Sequence, residues 1–198
     1  MTAQAQSILD VFRQTGAYLS GHFRLTSGLH SPEYLQCALV LQHPQHAERL
    51  GAALAAELRS MAGAEKIAVV VSPAMGGLII GHEVARALGT RFLFTERDAD
   101  SGKMVLRRGF TLSPDEPAVV VEDVITTGGS TREVVDILKA AGARAIAAGS
   151  IIDRSGGKAQ VGAPRVALAT LDVVSCQPED CPLCRQGLPV TKPGSRAS

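Results

Sequence analysis

The 198-residue sequence is poor in aromatic rings and has almost no excess charge of either sign. It has no tryptophan and only 4% aromatic residues, so it offers few platforms for stacking nucleic-acid bases. Lysine and arginine number 20 against 19 aspartates and glutamates, and no block of like charges could follow a phosphate backbone. We therefore expect no nucleic-acid partner.

Long apolar runs are also missing. Segments such as residues 67–71 are far too short to cross a bilayer, and the N-terminus lacks the basic and apolar parts of a secretory leader. We expect no membrane association and a cytoplasmic location, where the four cysteines stay reduced.

Three of those cysteines, Cys176, Cys181 and Cys184, could bring three thiolates to one zinc ion. No histidine follows residue 82, so a fourth ligand is missing nearby. The expectation from the sequence is that no metal is held directly by the protein.

What the chain does contain is an alternation of helical and strand patterns with 45% hydrophobic residues, enough for one packed domain over residues 1–198. Continuous β-branched runs indicate strands covered on both faces, which predicts an α/β fold with a mainly parallel sheet flanked by helices. A small N-terminal hood (1–46) precedes it and an irregular tail (175–198) follows. The predicted helices cover residues 4–14, 47–62, 77–88 and 131–141, and the predicted strands cover 67–71, 91–94, 118–121 and 145–152, with a hairpin through Gly109.

The most informative segment is residues 119–131, which joins a buried strand to two acids and then to a turn rich in hydroxyls and glycine. Ligands of open α/β sheets bind at the carboxyl ends of strands, where this turn should lie. Ser130 and Glu133 have capping-box spacing, so the next helix should begin at the turn and direct backbone N–H groups outward. Such a helix N-terminus binds anions, and one phosphate would fit.

Glu122 and Asp123 would repel a phosphate placed against them, so they need a different partner. Vicinal sugar hydroxyls, or a Mg²⁺ ion that the sugar also contacts, would satisfy them. The segment therefore predicts a site for a phosphorylated ribose. The competing interpretation is an acidic strand end followed by an ordinary capped helix.

The same segment resembles the phosphoribosyl-diphosphate (PRPP) binding motif of type I phosphoribosyltransferases: four apolar residues, two acids and a Thr/Gly/Ser turn, in that order. Residues 21–28 with Ser31 and Pro32, residues 72–77, and Asp153 with Arg154 are similar to orotate phosphoribosyltransferases. The resemblance implies a type I phosphoribosyltransferase fold, transfer of phosphoribose from PRPP to orotate with release of pyrophosphate, Mg²⁺ chelated by PRPP, and a homodimer.

By this resemblance two loops would bind PRPP. The first contributes Glu122, Asp123, Thr126, Thr127, Gly128, Gly129 and Ser130, and the second, for the pyrophosphate, contributes Ala74, Met75, Gly76 and Gly77. Many orotate enzymes have a lysine at the position of Met75, so here the contact is through the backbone or the charge comes from elsewhere. An ordinary structural turn is the alternative for the second loop.

The polar stretch 96–103 contains no large apolar residue and is expected to be mobile in the free protein. It resembles the catalytic loop of the family, which closes over the neighbouring subunit's site. Arg97 and Lys103 would then neutralise the departing pyrophosphate and are the candidate catalytic residues. A solvated hairpin is the competing interpretation.

Orotate is a planar anion, and Arg154 at the end of a predicted strand could donate a forked pair of hydrogen bonds to it. Thr126 could contact the same base and Tyr34 could wall it. An internal salt bridge is the alternative for the Asp153 and Arg154 pair. Two rival functions stay open: a purine phosphoribosyltransferase of the same fold, and a PRPP-sensing regulator.

Overall fold

The computed structural model describes residues 2–25, 28–173 and 175–193. Residues 26 and 27 of the motif-bearing N-terminal segment, and residues 194–198 of the predicted tail, lie outside that part. In chain order the elements are α1 (Ala3–Gln14), β1 (Tyr18–Arg24), β2 (His30–Leu35), α2 (Cys37–Leu41), α3 (Pro44–Ala62), β3 (Val69–Pro73), α4 (Gly77–Leu88), β4 (Arg91–Arg97), β5 (Met104–Leu106), β6 (Pro117–Ile125), α5 (Gly129–Ala140), β7 (Arg144–Asp153), β8 (Arg165–Thr170), a 3₁₀ turn (Pro178–Asp180) and α6 (Pro182–Arg185).

Six strands form the main sheet in the order β5-β4-β3-β6-β7-β8. All neighbours are parallel except β4 and β5, which form an antiparallel edge. Strands β1 and β2 form a separate antiparallel hairpin. Because β3, β6 and β7 run side by side in the same direction, the loops that follow them meet at one edge of the sheet.

Both faces of the sheet are covered, as the β-branched runs predict. Val70 and Val119 pack on one face with helices α1 to α4, whereas Val69 and Val71 pack on the other face with α5. Val69, Val70 and Val71 are all 0% exposed. Alternating side chains therefore enter two different cores, and every position of the strand must be apolar.

The predicted α/β class with a mainly parallel sheet is confirmed, but several boundaries differ. Strand β6 runs on through Glu122 and Asp123 to Ile125, and strand β4 continues to Arg97. The hairpin joins β4 to β5 and does not run through Gly109. Strand β8 and helix α2 have no counterpart in the sequence prediction.

No helix in the described part of the chain is both long and apolar enough to cross a membrane.

Candidate active site

A cavity of about 640 Å³ opens at the carboxyl ends of β3, β6 and β7. This volume is typical of a small-molecule site, for which about 300–1,000 Å³ is usual. Its walls come from the two loops that follow β3 and β6, from the residue after β7, and from the β1–β2 hairpin. The lining residues are Leu25, Tyr34, Leu35, Gln36, Pro73, Ala74, Met75, Gly76, Arg97, Met104, Glu122, Asp123, Val124, Thr126, Thr127, Ser130 and Arg154.

Two carboxyl groups lie in the wall of this cavity. Burial raises the pKa of Glu122 to about 7, although the hydroxyl of Thr131 donates a hydrogen bond to its carboxylate. Burial also raises the pKa of Asp123, although the N–H of Val124 donates to its Oδ1 at 2.8 Å. Neither acid forms an ion pair within the described residues. Two half-buried acids without an ion-pair partner form a site that a metal ion or a diol can satisfy.

The turn after β6 forms the N-terminus of helix α5. Gly128 has φ of 81°, a left-handed conformation that glycine adopts without a steric penalty, and a Cβ there would lie 2.9 Å from Val161 Cγ1. The first backbone bond into the turn is donated by Arg132 to the Gly128 carbonyl at 2.9 Å. The N–H groups before it have no intrahelical acceptor, so the turn can bind an anion beside the cavity.

The capping box predicted for this helix is wrong. No side chain caps α5, whose N-cap is Gly128. The carboxylate of Glu133 instead accepts two hydrogen bonds from Arg97, each 3.0 Å long. A tertiary ion pair with the end of β4 has replaced the local cap, and it holds the Arg97 guanidinium at the cavity.

The loop between β3 and α4 approaches the acids closely. A Cβ on Gly76 would lie 2.6 Å from Asp123 Oδ1, so only glycine fits against that carboxylate. The Ala74–Met75 peptide bond is cis, and the Met75 side chain is 79% exposed where it lines the cavity. The two loops therefore share one wall, with Asp123 between them.

Arg154 follows β7 and lines the same cavity. Its Nε is buried without a hydrogen-bond partner, and one terminal nitrogen donates a long 3.4 Å bond to the Glu33 carbonyl. Burial lowers the pKa of this guanidinium. The predicted alternative, a salt bridge with its neighbour, is not formed, because Asp153 pairs with Arg165. Arg154 is thus a partly unsatisfied cation beside the cavity.

The predicted catalytic loop has different boundaries in the structure. Glu96 and Arg97 belong to β4, and residues 98–103 form a tight turn closed by a 2.8 Å bond from the Asp98 N–H to the Lys103 carbonyl. Lys103 is exposed and does not line the cavity of its own chain. The mobility of this turn stays a prediction.

The fold brings most of the predicted binding residues to the cavity. Three predicted loop residues do not line the cavity: Gly77, Gly128 and Gly129. Gly77 is the first residue of α4, and Gly128 and Gly129 are the N-cap and first residue of α5. Sequence reasoning missed Leu25, Gln36 and Met104, which carry no chemical signal in the sequence and reach the site only through the hairpin and β5.

Comparison with known proteins agrees with this geometry. The family profile of the phosphoribosyl transferase domain matches residues 39–181. An orotate phosphoribosyltransferase of Pelotomaculum thermopropionicum is 55% identical over 189 residues, covering 96% of both chains. The crystal structure of the orotate phosphoribosyltransferase from Aeropyrum pernix has a TM-score of 0.67 at 26% identity, covering 83% of this chain and 93% of the other.

An adenine phosphoribosyltransferase from Thermoanaerobacter pseudethanolicus shares the fold, with a TM-score of 0.58 at 13% identity over 70% of this chain and 88% of that one. At this identity the likeness concerns the fold alone. The profile match and the full-length identity to curated relatives are specific. The chain belongs to the type I phosphoribosyltransferase family, within its orotate phosphoribosyltransferase group.

Proposed function

We propose that this protein transfers the 5-phosphoribosyl group of PRPP to orotate, giving orotidine 5′-monophosphate and pyrophosphate. One observation carries the proposal: two half-buried acids, the hydroxyl-bearing turn at the N-terminus of α5 and an incompletely bonded arginine line a single cavity. The acids suit a ribose diol, the helix N-terminus suits its 5-phosphate, and the arginine suits a planar anionic base.

For PRPP we assign the ribose hydroxyls to Glu122 and Asp123 and the 5-phosphate to residues 126–130. The hydroxyls of Thr126, Thr127 and Ser130 line the cavity and can donate to phosphate oxygens. We assign the pyrophosphate to the loop of residues 74–77. None of its side chains, including the exposed Met75, has a hydrogen-bond donor, so the loop can offer only backbone N–H groups.

Magnesium fits this donor set. Two carboxylates are fewer ligands than Mg²⁺ requires, but the ion is usually held by one or two carboxylates together with substrate phosphates. When bound with PRPP it would supply positive charge that stabilises the pyrophosphate leaving group. Glu122 and Asp123 are the residues that would hold it or the hydroxyls beside it.

Catalysis in this site is electrostatic and positional, because the C1–O bond to pyrophosphate weakens as charge develops on both fragments. Arg97 lines the cavity and is oriented by Glu133, so it can donate to the leaving pyrophosphate. We assign Lys103 a similar role toward the neighbouring subunit of a homodimer, since it lies on an exposed turn and does not line its own cavity.

Arg154 is the residue to which we assign orotate recognition, with Thr126 and Tyr34 beside it. A guanidinium can donate two parallel bonds to the carboxylate of orotate, and neutral purines have no group that would compensate the buried charge. The purine alternative rests on the shared fold alone. A sensing role without chemistry is distinguished from an enzyme by turnover.

We further propose that the whole chain acts as one phosphoribosyltransferase domain, with residues 1–46 as its hood and residues 175–198 as its tail. Leu25 and Tyr34 of the β1–β2 hairpin line the cavity, which supports a role of the hood in covering the base. Four free cysteines suit a reducing compartment such as the cytoplasm.

The decisive experiment incubates the protein with PRPP, Mg²⁺ and single bases, and follows both pyrophosphate release and the fall of orotate absorbance. We expect turnover with orotate and none with adenine, guanine or xanthine. Turnover with a purine alone would overturn the assignment of the base, and PRPP binding without any turnover would favour a sensor.

A further inference from the structure

The tail of residues 175–193 lies on the β1–β2 hairpin although it contributes almost nothing to the hydrophobic core. Its backbone pairs with the hairpin at two places: His30 and Cys176 exchange bonds of 2.9 and 3.0 Å, and Thr191 bonds to His22 and Arg24 at 2.8 Å each. Among the described tail residues only Cys181 is buried. Apolar burial therefore does not explain why this segment is ordered on the hairpin.

Four side chains meet where the tail contacts the hairpin. His22 from β1, His30 from β2 and Cys181 are 5%, 6% and 1% exposed, and Cys184 completes the group. One donor atom from each lies within 4.8 Å of the other three. The two cysteines are separated by two residues, the spacing found in many zinc sites. Neither histidine could be recognised as a ligand from sequence spacing, because both precede the cysteines by about 150 positions.

Three of four distances between these atoms are those expected for the edges of a tetrahedron around zinc, and the fourth is shorter. His22 Nε2 lies 2.9 Å from His30 Nδ1, 3.4 Å from Cys181 Sγ and 3.7 Å from Cys184 Sγ, while Cys184 Sγ lies 3.3 Å from His30 Nδ1. Zinc bonds of about 2.3 Å to sulfur and about 2.0–2.1 Å to nitrogen give edges of roughly 3.3–3.8 Å. An ion at the centre would require the two histidine nitrogens, now 2.9 Å apart, to separate by about half an ångström, with smaller shifts of the sulfurs.

The hydrogen bonding of His22 orients its lone pair toward that centre. Its Nδ1 lies 2.9 Å from the Leu188 carbonyl, which can only accept, so Nδ1 carries the proton. In the neutral ring, Nε2 then has a lone pair, and it faces His30 Nδ1 and both sulfurs. A backbone carbonyl on the second nitrogen is the usual support of a metal-binding histidine.

We propose that His22, His30, Cys181 and Cys184 bind one Zn²⁺ ion, which fastens the tail to the hairpin. Two thiolates and two imidazoles in a tetrahedron select zinc over Mg²⁺ or Ca²⁺, and four protein ligands leave no open position for catalysis. The role is structural and separate from the PRPP site. Since Leu25 and Tyr34 of the hairpin line the orotate cavity, the ion also stabilises that wall.

The test begins with the unmodified full chain, produced without a histidine tag in zinc-supplemented medium. We expect about one zinc per chain by inductively coupled plasma mass spectrometry. Replacing the zinc by Co²⁺ should give the visible absorption bands of a tetrahedral ion with thiolate ligands. Alkylation of the metal-free protein followed by mass measurement should show four free thiols.

Variants then identify the ligands. Cys184→Ser and His30→Gln should each lose most of the zinc and melt at a lower temperature than the wild type. Cys176→Ser tests the third tail cysteine: its sulfur contacts the His30 carbonyl at 3.8 Å and the Cys181 thiol, yet it lies outside the four-residue set, so this variant should keep its zinc. His82→Gln serves as a control with an exposed histidine.

Three results would overturn the proposal: a wild-type chain without zinc after growth in zinc, a Cys181–Cys184 disulfide in place of free thiols, or equal zinc in Cys184→Ser and the wild type. If the ligand variants do not fold, the zinc content and cobalt spectrum of the wild-type chain still decide the question. Metal content is measured without substrates, so its outcome is independent of the proposed enzymatic activity.

Discussion

Replacing Arg154 with methionine removes the guanidinium at the cavity and keeps a side chain of moderate length. Charge-assisted hydrogen bonds contribute about 1.5–3 kcal/mol each, so the loss of two such bonds should lower kcat/KM for orotate by roughly two to four orders of magnitude. Arg154→Lys keeps the charge but not the fork, and should lose roughly one to two orders. The affinity for PRPP should change little in either variant.

The stability of the Arg154→Met protein gives an independent check. Burial lowers the pKa of the guanidinium, Nε has no partner, and the bond to Glu33 is long. The charge therefore does not stabilise the ligand-free fold, and the melting temperature of the variant should equal or exceed that of the wild type.

Steady-state kinetics with orotate absorbance, PRPP titration and thermal melting together measure these effects. Arg144→Met is the control, because Arg144 begins the same strand at its opposite end and pairs with Glu65. A variant of Arg154 that loses PRPP affinity as strongly as orotate turnover, or that melts well below the wild type, would show that the arginine supports the fold and does not recognise the base.

Three further predictions concern other parts of the site. Lys103→Ala should lower kcat far more than PRPP affinity, measured by kinetics and titration calorimetry, because the role proposed for this exposed cation is to stabilise the departing pyrophosphate. Glu122→Gln should flatten the pH dependence of stability. Burial raises the pKa of Glu122 in the folded protein from 4.5 to about 7, so between these pH values the folded state binds a proton that the unfolded state has lost. The free energy of unfolding of the wild type therefore falls as pH rises through this range, by at most about 3 kcal/mol, and that of the variant does not. Gly76→Ala should raise KM for PRPP, because its Cβ would displace the Asp123 carboxylate 2.6 Å away.

Each of these has a result that contradicts it. Lys66→Ala, an exposed lysine just before β3 at the other edge of the sheet, is the control for Lys103, and equal kcat in both variants would exclude a catalytic role. Parallel curves of melting temperature against pH for wild type and Glu122→Gln, recorded without PRPP or Mg²⁺, would show that the carboxyl is not buried in solution. An unchanged KM in Gly76→Ala would mean that the two loops are not coupled.

The central strands of the sheet could be predicted from the sequence, because a strand that is buried on both faces is apolar at every position. Val69 to Val71 contact two different cores, and no polar residue fits there. Strand β8 carries Arg165 at its start and is only partly buried at the sheet's edge, so its apolar signal is weak. The polar end of β4 pairs with the short edge strand β5, and charged residues such as Glu96 and Arg97 are typical of loops and of strands near a sheet edge alike.

The candidate site could be predicted where its polar residues follow one another in the sequence, as in the run from Glu122 to Ser130. It could not be predicted where a contact joins residues that are distant in the sequence. Glu133 has the spacing of a cap but pairs with Arg97, which lies 36 positions earlier. The cluster of two histidines and two cysteines depends on segments from both ends of the chain, and no local pattern connects them.

The pairing of His30 with Cys176 and of Arg24 with Thr191 has a consequence for biosynthesis. On the ribosome the hairpin emerges among the first segments, but its backbone partners in the tail emerge after the whole sheet. In a nascent chain the hairpin, whose residues Leu25 and Tyr34 line the cavity, therefore lacks this support until residue 191 has left the exit tunnel. Truncation just before Cys176 should leave every strand of the main sheet present and the hairpin without its four backbone bonds to the tail.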